Sequence, residues 1–135
     1  VTFSPNVHTF RTANCKWVSE IAHENSVWIN KEVGQSMKIK EGDKVKIESE
    51  VGSIVVRAHL TPGIHPRVVA ISRGFGHWGY GSIAQGKRFE SPDPDTHEVW
   101  WDNNGTNPNP IIPIKRDPIG KGQAWKDTRV KISKV

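Results

Sequence analysis

Among its 135 residues the chain has one cysteine (Cys15), one methionine and one tyrosine. A single cysteine excludes an internal disulfide framework and a cysteine-built structural zinc site, and it leaves the redox compartment open. No apolar run approaches the ~20 residues needed to span a bilayer as a helix. Like charges never form a long block, so the net charge of +5 reads as a solvated surface with a slight lean toward anionic partners. The nucleophile elbow GxSxG of Ser-His-Asp hydrolases is missing. His23-Glu24 does not begin a zincin motif, because Val27 stands where the second histidine would be. The histidines are scattered, and no protein-ligated metal is expected in this chain. Periodicity is absent from residues 81–128, where five of the nine prolines crowd between Pro92 and Pro113. A run this long without pattern inside a globular chain is a functional or covering loop.

What remains is mostly β. The length suits one domain that buries roughly two thirds of its unfolded surface. Lys44 to Glu48 alternates strictly, and after Glu50-Val51-Gly52 the alternation resumes through Ile54, Val56, Ala58 and Leu60. Two alternating runs around a glycine-containing turn predict an antiparallel hairpin. Gly42-Asp43 turns the chain into it, and Thr61-Pro62-Gly63 closes it. Further strands are predicted near Val1–Thr9, over Ser26–Asn30, over Val68–Ser72 and through Val130, Ile132 and Val135. Ala13, Trp17 and Ile21 share helical spacing, which predicts a short helix over Asn14–His23 capped by Thr12 or Asn14. Asn30 is placed to cap a second, ending near Met37.

VVAISRGFGHWGYG, from Val68 to Gly81, carries Gly74, Gly76 and Gly79 at GxGxxG spacing after an apolar strand. In dinucleotide folds that spacing admits a pyrophosphate to a helix N-terminus. No amphipathic helix follows here, since the chain enters a stretch holding Pro92 and Pro94, so a βαβ unit is excluded. The glycines instead predict a sharp loop exposing His77, Trp78 and Tyr80 toward a ligand at the end of a β-barrel. Asn104-Gly105-Thr106 has the form of a glycosylation sequon, a pattern common by chance. The six tryptophans and a pI near 9.5 raise base stacking on a small barrel as another possibility. Trp17 and Trp28, however, sit in apolar patterns that predict core positions.

Four segments, in order, carry a resemblance over nearly the whole chain: VHTFRTANCKW, then NSVWINKEVGQSMKIKEGDKVKIESEVGSIVVRAHLTPGIHPRVV, then RGFGHWGYG, then TNPNPIIPIKRDPIGKGQAWKDTRVKI. Together they resemble the C-terminal molybdopterin-dinucleotide-binding domain of the dimethyl sulfoxide reductase family of molybdenum and tungsten oxidoreductases. The VHTFRT opening and the GFGHW loop are most similar to the polysulfide and thiosulfate reductase branch. Met37-Lys38 stands where the family commonly has Leu-Gly, and the insertion from Ser91 to Trp101 departs from its pattern.

The resemblance implies a six-stranded double-psi β-barrel with short inserted helices and a long C-terminal loop. It implies a bis(molybdopterin guanine dinucleotide) cofactor with Mo or W, held by His8, Thr9, Arg11, Thr12, His77, Trp78, Asn107, Asn109, Gln123, Trp125 and Lys126. Residues 1–135 would then be the C-terminal part of a longer catalytic subunit of a respiratory oxidoreductase. The metal pocket and any iron–sulfur cluster would lie elsewhere in that polypeptide, as would any targeting segment. The expected partners are the other domains of the same polypeptide and an electron-transfer iron–sulfur subunit, with no nucleic acid and no direct membrane span. The alternative is a stand-alone barrel that binds single-stranded nucleic acid or a protein.

Overall fold

Alternating apolar residues give each of the two central runs one face to bury, and the tight turn between them lets those faces coincide. A computed structural model describes residues 2–3, 16–22, 24–76, 105–123 and 127–135. Its strands are β1 (Thr2–Phe3), β2 (Ser26–Asn30), β3 (Lys44–Glu48), β4 (Ser53–Thr61), β5 (Ala70–Ser72) and β6 (Lys131–Lys134). Two short helices, α1 (Lys16–Ile21) and α2 (Lys31–Ser36), and a 3-10 turn at Asn109–Ile111 complete the described elements. The described residues are therefore mainly β, in one sheet with the order β1–β5–β2–β4–β3–β6. No described helix is long and apolar enough to cross a membrane.

The chain divides into two compact units. The first comprises Val1–Thr2, Ser26–Ile71 and Pro108–Val135, and the second Phe3–Asn25 and Ser72–Asn107. In the first unit the predicted hairpin forms with Val45 opposite Val56 and Ile47 opposite Ile54. Its inward face is nearly inaccessible: Val45 is 0% and Ile47 1% exposed. β6 adds to the hairpin's other edge, with Ile132 opposite Ile47. β2 runs parallel to β4, which sets Val27 beside Ala58 and Ile29 beside Leu60. These residues join Ile39, Ile54, Ile71 and Ile111 in one core. Burying each Val or Ile contributes roughly 1.5–3 kcal/mol of transfer free energy.

Asn30 ends β2 and caps α2. Its Oδ1 accepts from the N–H groups of Glu32 at 3.1 Å and Val33 at 3.4 Å, which satisfies amides that a helix start leaves unpaired. The helix stops as the spacing predicts. The Ile39 N–H reaches back to the Gly34 carbonyl at 2.9 Å, and Lys38 between them has φ of 57°.

Several expectations need correction. α1 forms, but Trp17 is 72% and Ile21 73% exposed. A helix of six residues buries one narrow stripe, and here Val18 is half-buried while the Trp17–Ile21 pair, one turn apart, faces outward. Trp28 is only half-buried. It lies on the β2 face opposite Val27 and Ile29 and meets the His59 ring edge-on, with centroids 5.5 Å apart. β5 begins at Ala70 because Val68 is taken up in a turn, its N–H bonded to the His65 carbonyl at 2.9 Å. Val135 lies beyond β6 and is 72% exposed. The predicted caps Thr12 and Asn14 fall outside the described residues.

Candidate functional site

The glycine-rich segment begins at a buried junction in the second unit. Asn25, 5% exposed, directly precedes β2 and uses its whole carboxamide. Oδ1 accepts the Thr106 N–H at 2.7 Å, while Nδ2 donates to the Thr106 carbonyl at 2.9 Å and to the Ser72 carbonyl at 2.6 Å. One side chain thus fastens the 105–107 segment to the residue from which the glycine loop departs.

Two glycines permit that closeness. Gly76 has φ of 69° and Gly105 of 87°, both in the left-handed region that side chains disfavour. A Cβ on Gly76 would lie 2.6 Å from the Thr106 carbonyl carbon, and one on Gly105 would lie 2.9 Å from the Asn25 nitrogen. At Gly76 the close neighbour is the chain's own backbone, at Thr106 and Asn107. Phe75, buried at 4% exposure, packs within this junction near Gly105. Asn107 follows immediately and is half-buried, so the structure brings it to the base of the segment that leads into His77.

A turn at Asp117-Pro118 belongs to the first unit. Asp117 Oδ1 accepts from the Ile119 N–H at 3.0 Å and from the Gly120 N–H. The Asp117 N–H donates to the Gly122 carbonyl at 2.7 Å, and Arg116 bridges to Gln123. The aspartate side chain therefore fixes the turn together with the proline. Gln123 donates its amide N–H to the Pro113 carbonyl at 2.7 Å, so part of its hydrogen-bonding capacity braces its own loop. Asn109 is exposed at the start of the 3-10 turn, and its carbonyl accepts from the Ile112 N–H at 3.0 Å.

A cleft of about 750 Å³ opens in the first unit over Ile29, Val33, Val69 and Ile132, with Arg67 and Arg129 among its lining residues. The volume suits a small organic ligand. One wall is the 127–130 segment, which follows Lys126 in sequence. Two carboxyls that do not line this cleft have strengthened acidity. The Leu60 N–H and the His59 ring hold Glu41 below the usual carboxylate range. The Lys134 ammonium and the Lys40 N–H do the same for Asp43.

Of the expected site residues, Asn107, Asn109 and Gln123 are described. His8, Thr9, Arg11, Thr12, His77, Trp78, Trp125 and Lys126 lie outside the described residues, as does the Ser91–Trp101 insertion. No cluster of three or more potential metal ligands occurs among the described residues. Asn25 was missed by sequence reasoning. An asparagine before an apolar strand reads as a turn residue, and only the fold reveals that its amide is buried.

Comparison with known proteins adds a family. The "Molydopterin dinucleotide binding domain" family matches residues 3–129. The arsenate respiratory reductase molybdopterin-containing subunit of Shewanella sp. (strain ANA-3) is 31% identical over 134 residues, covering 93% of this chain and 14% of that protein. A selenate reductase polypeptide of Mesobacillus selenatarsenatis is 31% identical over 147 residues, again covering 93% of this chain and 14% of the relative. The chain thus spans about one seventh of the length of these relatives. Among solved structures, acetylene hydratase from Pelobacter acetylenicus superposes with a TM-score of 0.63 at 12% identity, covering 90% of this chain and 16% of that one. That likeness is one of fold.

Proposed function

The chain belongs to the molybdopterin dinucleotide-binding domain family of the dimethyl sulfoxide reductase class, and from that premise we propose that it grips a bis(molybdopterin guanine dinucleotide) within a longer respiratory reductase polypeptide. The observation that carries this reading is the family match over nearly the whole chain, residues 3–129. In this reading the strands close into a six-stranded double-psi barrel, and the chain forms the C-terminal part of the catalytic polypeptide.

The donor set fits such a ligand. A dinucleotide with two heterocycles and a pyrophosphate calls for amides, backbone N–H groups, aromatic faces and a few cations. Asn107 sits half-buried at a close backbone contact with Gly76, and Gln123 stands at the foot of a braced turn. We assign cofactor contacts to both, and to Asn109. His8, Thr9, Arg11 and Thr12 would serve the phosphates, Arg11 by bidentate pairing. His77 and Trp78 would lie against the pterin, and Trp125 and Lys126 would add an aromatic face and a cation. The cofactor, carrying Mo or W, supplies the redox centre, and this chain binds and orients it.

Electrons would arrive through an iron–sulfur cluster elsewhere in the polypeptide, fed by a separate iron–sulfur protein. The relatives' names make oxyanions such as arsenate and selenate the first substrates to assay. No observation favours the stand-alone barrel that binds nucleic acid or protein.

The test is the pterin and metal content of the purified full-length polypeptide, with Arg11→Ala alongside. Wild type should carry the cofactor and the variant should lose most of it. A wild-type protein without pterin refutes the reading, and full content with full activity in Arg11→Ala refutes the role of that residue.

A further inference from the structure

We propose that Asn25 is a positioning residue for the cofactor: without touching it, the carboxamide sets the 105–107 segment from which Asn107 reaches the ligand. This rests on the reading of Asn107 given above. Asn25 grips Thr106 from both sides, taking its N–H at 2.7 Å and giving an N–H to its carbonyl at 2.9 Å. The side chain so imitates a neighbouring β-strand and fixes the orientation of the peptide preceding Asn107. Its remaining N–H goes to the Ser72 carbonyl at 2.6 Å, at the root of the segment leading to His77. The amide cannot rotate without pointing its N–H donors at the Thr106 N–H and its oxygen at carbonyls.

Mere space-filling would not need this arrangement. A buried polar group that satisfies every partner selects one geometry out of several compact ones. The neighbouring glycines narrow the choice further. A methyl group on Gly76 would come within 2.6 Å of the Thr106 carbonyl carbon, and one on Gly105 would press on Asn25 itself. Asn107 therefore emerges from a segment held by the Asn25 side chain and packed against the bare backbone of Gly76.

Asn25→Asp is the informative change. It is nearly isosteric, yet its carboxylate has no N–H and would face the Ser72 and Thr106 carbonyls with an anionic oxygen. The experiment compares the full-length polypeptide in four forms: wild type, Asn25→Asp, Asn25→Ser and Val56→Ala. Val56 lies in the core at 3% exposure, and its truncation provides stability loss without touching the junction. Cofactor per folded polypeptide is read from oxidised pterin fluorescence, and stability from the thermal midpoint.

The expected result is a loss of cofactor of about tenfold or more in Asn25→Asp, on the scale of hydrogen bonds lost at a buried site. Asn25→Ser, which keeps one hydroxyl, should lose less, and Val56→Ala should stay loaded at a comparable thermal midpoint. If Asn25→Asp does not fold, Asn25→Ser against Val56→Ala decides in the same way. Equal loading of the Asn25 and Val56 variants overturns the positioning role and leaves the cofactor reading standing. An unloaded wild type overturns both.

Discussion

Asn30 terminates a strand, starts a helix and ties down a loop with a single carboxamide. Besides accepting from Glu32 and Val33, it donates to the Ile64 carbonyl at 2.9 Å. Asn30→Ala should cost about 1–3 kcal/mol, the sum of a lost cap and an orphaned carbonyl, read as a shift of the denaturant midpoint. Asn30→Asp keeps the cap and loses the Ile64 bond, so it should fall between the two. Asp43 accepts from the Lys134 ammonium at 2.6 Å and from the Lys40 N–H at 2.8 Å, and these bonds lower its pKa. The folded-state value lies below the unfolded one, so the stabilisation is complete above the unfolded value. It is lost as pH falls through the folded one. Asp43→Asn should therefore lower the thermal midpoint at neutral pH, and the gap from wild type should close below about pH 4. An unchanged gap at pH 2 to 3 would rule this out. The capping role of Asn30 was legible because capping chemistry is local. Its bond to Ile64, and all three bonds of Asn25, were not, because their partners are far along the chain.

At the scale of elements, α2 ends through a residue poorly suited to the task. Lys38 adopts φ of 57° at the position after a helix end where glycine is favoured, and Ile39 closes the motif onto Gly34 at 2.9 Å. The sequence already marks this place, since the related family commonly carries Leu-Gly where this chain has Met37-Lys38. Lys38→Gly should stabilise the protein by about 0.5–1 kcal/mol, because relief of left-handed strain exceeds the added freedom of the unfolded chain. A chemical-denaturation midpoint that falls would contradict this. The β3–β4 hairpin and β2 were readable from alternation and turn residues. α1 was readable as a helix but not in its packing, because spacing marks an apolar face without saying whether a partner covers it. The shortened β5 escaped prediction for a related reason: the turn over residues 65–68 takes up Val68, the first residue of an apolar run, Val68–Ser72, whose composition still reads as strand.

For the whole molecule, the proposed division of labour makes a direct prediction. Residues 1–135 expressed alone should fold, bind the cofactor weakly and catalyse no reduction. Turnover by this chain alone would overturn that division. The fold was only partly foreseeable. Alternation and glycine-bearing turns determined a mainly β chain and its central hairpin, because both signals act between residues close in sequence. The ordered segments likewise determined the family, because a series of short matches in a fixed order is specific where each one is not. Only the tertiary structure decided that β2 runs parallel to β4, since such a pair is joined through α2 and β3 and no local turn specifies it. It alone decided that Asn25 lies buried against Thr106, 81 positions away. Side-chain identity states which hydrogen bonds a residue can make, and the path of the chain determines which partners come within reach.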